Sequence, residues 1–301
     1  MDQAAQLRKM KVKAEMTGVA PSEYKAVEKQ RNSGIRVLAV TSGKGGVGKT
    51  HVSANLAYSL ARLGKRVLVF DADMGLANID IILGLMPRYN LHHVLQGKKT
   101  LREVLITGPG DIGILPAASG IKELADLTRG QKMTLIEELD NLDERYDYMI
   151  IDTAAGITGN VLYFNMAAKE IVVVVSPEPT SITDAYALIK ILYQSHAEKR
   201  IMLLVNMARS YQEAREVYRR VSSATEHFLD LTIEYLGYVM YDERVADAAR
   251  LQKALVEAYP GARASQCLMG IARKLSREPA GRYNIGSMKF FSNAIIGRDC
   301  E

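Results

Sequence analysis

The chain has 301 residues, of which 48% are hydrophobic and 24% charged, and carries a formal net charge of +5. That length and apolar content suit one large α/β domain with an ordinary core, and because residues 1–36 hold eight Lys or Arg against four Asp or Glu, the body beyond this leader is nearly neutral, so charge gives no sign of a nucleic-acid surface. Two cysteines, Cys267 and Cys300, are too few for a disulfide framework or a zinc site, and no apolar stretch has the length of a secretory signal or a membrane span, so a reducing cytosol is the expected setting.

The leader opens MDQAAQLRKM, in which Gln3, Leu7 and Met10 fall on one face of a helix. Gly18, Pro21 and Ser22 interrupt the helical pattern, and polar composition makes 15–34 an expected disordered basic segment. IRVLAVTS, apolar and β-branched, predicts a strand that stops at GKGGVGKT; SANLAYSLARLGKR then has helical spacing, with Gly64 as its stop signal. VLVFDAD is a second buried strand, ending on acids. DIGIL, YDYMIIDTAAG, EIVVVVSPEPTS, RIMLLVNMA and IEYLGYVMYDE repeat the pattern, with helices expected over 131–145 and 182–194. Strands apolar on both faces, alternating with amphipathic helices, predict a doubly wound, mostly parallel sheet with helices on both faces. Ligands of such sheets bind at the C-terminal strand ends. After Pro279, Met288, Phe291 and Ile295 share one helical face with Phe290 and Ile296 beside them, as in an amphipathic membrane-surface segment; packing on the protein's own body is the alternative. The expected organisation is a basic extension over 1–34, a nucleotide-binding domain over 35–278 and a tail over 279–301.

Residues 43–50 fit GxxxxGK[ST] with the required strand before and helix after. The backbone N–H groups of Gly43, Gly45, Gly46, Val47 and Gly48 can converge on phosphate oxygens, and the helix N-terminus adds positive dipole. Lys49 reaches the outer phosphates, Thr50 offers a hydroxyl to Mg²⁺, and His51 joins the nucleotide contacts. Asp152 ends four apolar residues, which aims a carboxylate at the metal, usually through water. Asp71 and Asp73 close the second strand, where they suit either the phosphate site or the capping of the next segment.

Lys44 is a departure, because a simple phosphate loop needs no cation at its second position. KGGVGKT resembles the deviant Walker A motif of the MinD/ParA ATPases, and the resemblance spans about 35–277. It implies that ATP and Mg²⁺ are the cofactors, that two subunits sandwich the nucleotide, and that Lys44 reaches the partner subunit's phosphates, making slow hydrolysis depend on dimerisation. It further implies that Asp73 orients the attacking water, that Asp71 supports Mg²⁺ through its waters, and that Asn206, Tyr241 and Asp242 stand where relatives contact adenine, although Asn and Asp are also common turn formers. The iron–sulfur branches of the family need paired cysteines, which the chain lacks.

DADMGLANIDIILGL, LPAASG, DTAAGI and PEPTSITDAYALIK are similar to the flagellar-number regulators of this family. DQAAQLRKM is similar to the element these regulators use to stimulate FlhF, a GTPase of the signal-recognition-particle type. The resemblance implies that Gln3 acts in the partner's active site, with Leu7 as an apolar anchor and Arg8 pairing with acids or phosphates. It implies a cytoplasmic protein, peripheral at the inner face of the cell membrane, whose ATP dimer binds lipid through the tail. Flagellar C-ring proteins or a flagellar transcription regulator are further expected partners, and no direct DNA binding is expected. Two alternatives stay open: an ATP-gated anti-activator in which turnover matters little, and MinD-like division-site placement.

Overall fold

The computed structural model describes residues 35–73, 78–117, 127–140, 142, 146–194 and 200–278. Gln3, Leu7, Arg8 and Met10 of the leader, and Met288, Phe290, Phe291, Ile295 and Ile296 of the tail, lie outside these residues. The described strands are β1 (Arg36–Ser42), β2 (Val67–Ala72), β3 (Ile106–Thr107), β4 (Gly113–Leu115), β5 (Tyr148–Ala155), β6 (Glu170–Val175), β7 (Arg200–Ala208) and β8 (Glu234–Met240). They form one sheet in the order β3-β4-β2-β5-β1-β6-β7-β8, parallel throughout except for the short β3–β4 pair at one edge. The doubly wound, mostly parallel sheet expected from the alternating pattern is therefore the architecture found.

Both faces of the central strands are covered, which is why their sequences are continuously apolar. Val67 and Val69 of β2 point into one core with Leu56 and Leu60 of α1 (Lys49–Arg62), while Leu68 and Phe70 point into the opposite core with Phe164 of α6 (Gly159–Ala167). A third cluster joins Ile171 and Val173 of β6 to Leu188 and Ile189 of α7 (Pro179–Gln194). Between β2 and β5 run α2 (Ile79–Ile82), α3 (Leu91–Leu95), α4 (Leu101–Val104) and α5 (Arg129–Asp140). The last of these, expected over 131–145, is described over Arg129–Asp140; residues 141 and 143–145 lie outside the described residues. α8 (Tyr211–Leu229) starts where the Ser210 hydroxyl accepts from the Glu213 N–H. After β8 come α9 (Arg244–Arg250), α10 (Leu255–Ala258) and α11 (Arg263–Arg277); α11 lays one apolar face on α1 and β8.

The N-terminal strand ends carry an ionic network that patterning does not reveal. Arg36 pairs with Glu170 at 2.7 Å and Glu278 at 2.8 Å, and Arg200 pairs with Glu278 at 2.6 Å and Glu234 at 2.5 Å. Burial pushes the Glu278 carboxyl up, but hydrogen bonds from Arg200 and Arg36 outweigh it and hold the group below the usual glutamate range. The network ties the end of α11 to four strands, β1, β6, β7 and β8, at the end of the sheet opposite the C-terminal strand ends.

Candidate nucleotide site

β1 hands the chain to the phosphate loop at Ser42, whose hydroxyl donates to the Lys44 carbonyl over 2.9 Å and curls the loop's first turn. Two glycines are required by their surroundings. A Cβ on Gly43 would overlap the backbone carbonyl of Asp184 in α7, and Gly48, the residue before α1, has φ +81° with the Asn206 amide against the place a side chain would occupy. From β7, Asn206 Nδ2 donates to the Val47 carbonyl over 2.8 Å and fixes the loop's far side. The next residue, Met207, is a non-glycine at φ 60°, an uncommon conformation that turns its side chain into the same site.

Beneath the loop, Lys49 is buried and its Nζ donates to Asp152 Oδ1 over 3.1 Å. Ser53, one turn further along α1, donates to the same oxygen over 2.8 Å. Asp152 is fully buried, and its second oxygen, Oδ2, has no hydrogen-bond partner among the described residues. A buried carboxylate oxygen left unpaired is costly, and a hydrated Mg²⁺ would satisfy it. Thr50, the residue after Lys49 in α1, lines the cavity above, and the residues present fit that ion.

Asp71 faces Asp152 in register across the β2–β5 pair. Its oxygens accept from the backbone N–H groups of Asp73 at 3.1 Å, Asn78 at 3.1 Å and Ile79 at 3.3 Å, so the carboxylate anchors both ends of the segment after β2. Burial, with the Asp152 charge adding to it, pushes the Asp71 carboxyl up to about 8 in spite of those donors. This structural anchoring stands beside the metal-support role expected from the resemblance.

A cavity of about 910 Å³ opens above the loop. Of the residues singled out from sequence, it brings together Gly45, Gly46, Gly48, Lys49, Thr50, His51, Asp73, Asn206, Tyr241 and Asp242. Burial lowers the His51 imidazole below its ordinary range, with the Asp152 charge only partly opposing, so the ring faces the cavity neutral at pH 7. The Asp242 carboxylate accepts from the N–H groups of Arg244 at 3.0 Å and Ala264 at 3.3 Å, tying together the starts of α9 and α11. Tyr241 is 60% exposed at the mouth.

Gly43, Val47, Asp71 and Asp152 support the cavity without lining it, and Lys44 stands outside it. The Lys44 ammonium bonds Glu178 Oε2 at 2.6 Å and Thr180 Oγ1 at 2.9 Å, at the start of α7. Sequence reasoning missed Glu178, Thr180 and Ser53. Ser53 was findable, because it lies four residues after Lys49 on one helical face; the other two lie more than 130 residues from Lys44, and only the fold joins them.

Among the described residues no helix is long and apolar enough to cross a membrane. A family model described as an AAA domain matches residues 35–205. The chain is 45% identical over 262 residues to the antiactivator FleN of Pseudomonas aeruginosa, covering 87% of this chain and 94% of that protein. It is 36% identical over 265 residues to the flagellum site-determining protein YlxH of Helicobacter pylori, covering 86% and 90%. The fold matches the septum site-determining protein MinD of Pyrococcus horikoshii, solved with Mg-ADP, at a TM-score of 0.69 and 25% identity, covering 81% of this chain and 96% of that one. With these likenesses over most of its length, the chain belongs to the MinD/ParA-type P-loop ATPases.

Proposed function

We propose that the chain is an ATP- and Mg²⁺-dependent switch that dimerises around the nucleotide, controls flagellar number and placement, and resets by slow hydrolysis. The observation that carries this reading is the position of Lys44: its ammonium is held by Glu178 and Thr180 outside the cavity, while Lys49 alone of the two lysines lines it. A cation on the outer rim, 37% exposed, is available to a second subunit's phosphates. Gly45, Gly46 and Gly48 cradle the phosphates with backbone N–H groups, and Lys49 and Thr50 hold the outer phosphate and the metal. Asp152, through its unpaired Oδ2, would help hold a bound Mg²⁺. Bound Mg²⁺ supplies charge neutralisation at the phosphates. Asp73, half-buried on the cavity wall, positions the attacking water. Asn206, Tyr241 and Asp242 receive the base.

In this reading residues 1–34 form a partner-activating extension, 35–278 the ATPase and 279–301 a membrane-targeting tail. Gln3, Leu7 and Arg8 stimulate an FlhF-type GTPase, and the ATP dimer presents two tails to lipid, so that avidity strengthens a weak anchor. ATPase rate per subunit should rise with protein concentration and lose that dependence in Lys44→Ala; a rate that stays flat through the dimerisation range refutes the shared site. The leader peptide should raise GTP turnover by the partner GTPase, and equal stimulation by a Gln3→Ala peptide removes that role. Flotation with liposomes should require ATP and fail in a Phe290/Phe291 double mutant.

The likeness to a protein named an antiactivator supports a second reading, in which ATP gates the binding of a flagellar transcription regulator and turnover is secondary. Asp73→Ala separates the two: normal flagellar number in a strain carrying the hydrolysis-dead protein favours the binding reading.

A further inference from the structure

β8 is the edge strand of the sheet, and its outer side lies at the floor of a groove of about 630 Å³ between α8 and α11. Tyr211 of α8 and Tyr238 of β8 meet edge to face at 5.8 Å along one wall. On the other wall Arg263, Cys267, Gly270 and Lys274 succeed one another at helical spacing along α11. Gly270 leaves the groove open: a Cβ there would meet nothing within 4 Å.

The edge is guarded at one end only. The β7 register shifts between Tyr235 and Gly237, so Leu236 is an extra residue, and Lys274 Nζ donates to the carbonyls of Tyr235 at 2.7 Å and Leu236 at 3.3 Å. A bulge capped by lysine discourages strand pairing there. From Gly237 to Met240 the outward backbone has no strand partner among the described residues.

The groove is also selective by charge. Arg263 and Lys274 flank it, and Arg215 stands one turn along α8 from Tyr211, stacked 5.1 Å from the Tyr235 ring. None of the three has a carboxylate partner among the described residues. The nearby Asp242 is committed to the N–H groups of Arg244 and Ala264. The chain's own leader is basic, the wrong sign for this surface.

We propose that this groove docks an extended acidic segment of a partner protein, laid along the open half of β8. Its carboxylates meet Arg263, Lys274 and Arg215, and an apolar side chain fills the space over Gly270. Backbone pairing supplies affinity and the alternating side chains supply selectivity, as in other strand additions. The proposal goes beyond the switch reading and does not depend on it, since the groove and the nucleotide cavity share Met240 alone.

The test uses the full chain without nucleotide and a fluorescein-labelled peptide of about eight residues, alternating Glu with Leu, long enough to span β8. Fluorescence anisotropy should show saturable binding that weakens with added salt. Gly270→Leu, which fills the groove and improves helix propensity, and Lys274→Glu should each weaken it about ten-fold or more. A control peptide with Lys in place of Glu should not bind. In a Cys300→Ser background the acidic peptide should slow alkylation of Cys267. No binding, equal binding to Gly270→Leu, or an unprotected Cys267 overturns the proposal. Self-association that Gly270→Leu abolishes would instead assign the groove to a second copy of this chain.

Discussion

Lys49 and Asp152 form a buried ion pair, with side-chain exposures of 7% and 1% and a separation of 3.1 Å. Two unit charges at that distance attract by about 5 kcal/mol at an effective dielectric constant of ~20. Their burial has already cost much of this, so the pair adds little net stability, whereas breaking it leaves one charge stranded, at roughly 3–5 kcal/mol. The two single variants should differ. Lys49→Met leaves Asp152 with Ser53 as its remaining donor and Oδ2 still unpaired, so it should lie at the upper end of that range. Asp152→Asn frees Lys49, which lines the open cavity and can extend toward water, so about 1–3 kcal/mol is expected. The double variant should recover part of the loss, with a coupling energy of roughly 1–3 kcal/mol. Equilibrium urea unfolding of the nucleotide-free protein, followed by far-ultraviolet circular dichroism, measures all three. If Lys49→Met unfolds within about 1 kcal/mol of the parent, or the double variant equals the sum of the singles, the pair does not hold the loop to β5 as argued.

Around this pair, Gly48→Ala places a side chain at φ +81° against the Asn206 amide; it should cost about 1–2 kcal/mol in urea unfolding and abolish nucleotide binding by calorimetry, and retention of both would contradict the geometry. Asp71 holds its proton in the folded state up to about 8, so the nucleotide-free protein should lose stability as pH rises from about 4 to 8, by up to about 1.4 kcal/mol per pH unit, and level off above. Asp71→Asn should flatten that slope, which paired urea titrations at pH 5 and 7 will show. Glu178→Ala removes an exposed partner of Lys44 and should shift unfolding by less than about 1 kcal/mol, because surface pairs contribute little; a larger loss would mean that the contact is structural rather than readily released.

Much of this was legible before any coordinates. β1, the phosphate loop and α1 are adjacent in the chain, so a β-branched run, a glycine pattern and helical spacing report one local unit, and Gly45, Gly46, Gly48, Lys49 and Thr50 all reach the cavity wall. The buried strands announced a covered parallel sheet because each carries apolar residues on both faces. Asp152 was readable as an acid ending such a strand. Patterning could not supply the meaning of acids whose partners are remote. Asp71 reads like a second metal carboxylate, yet three backbone donors make it an anchor, and its burial and register opposite Asp152 favour the protonated form against those donors. Asp242 likewise ties two helix starts together, a contact set by the packing of α11.

Sequence by itself thus determined the local chemistry: a strand, a glycine loop and a helix that can hold phosphate, and the alternation that builds a doubly wound sheet. Periodicity and glycine placement act over a few residues, and they survive in one dimension. Tertiary structure alone decided which groups are paired. It placed Lys44 on Glu178 and Thr180 outside the cavity, left Asp152 Oδ2 unpaired beneath the loop, gathered Glu278 into the network around Arg36 and Arg200, and set three cations beside an open strand edge. Those outcomes depend on strand order and burial, which bring together residues more than 100 positions apart and fix the dielectric in which they meet.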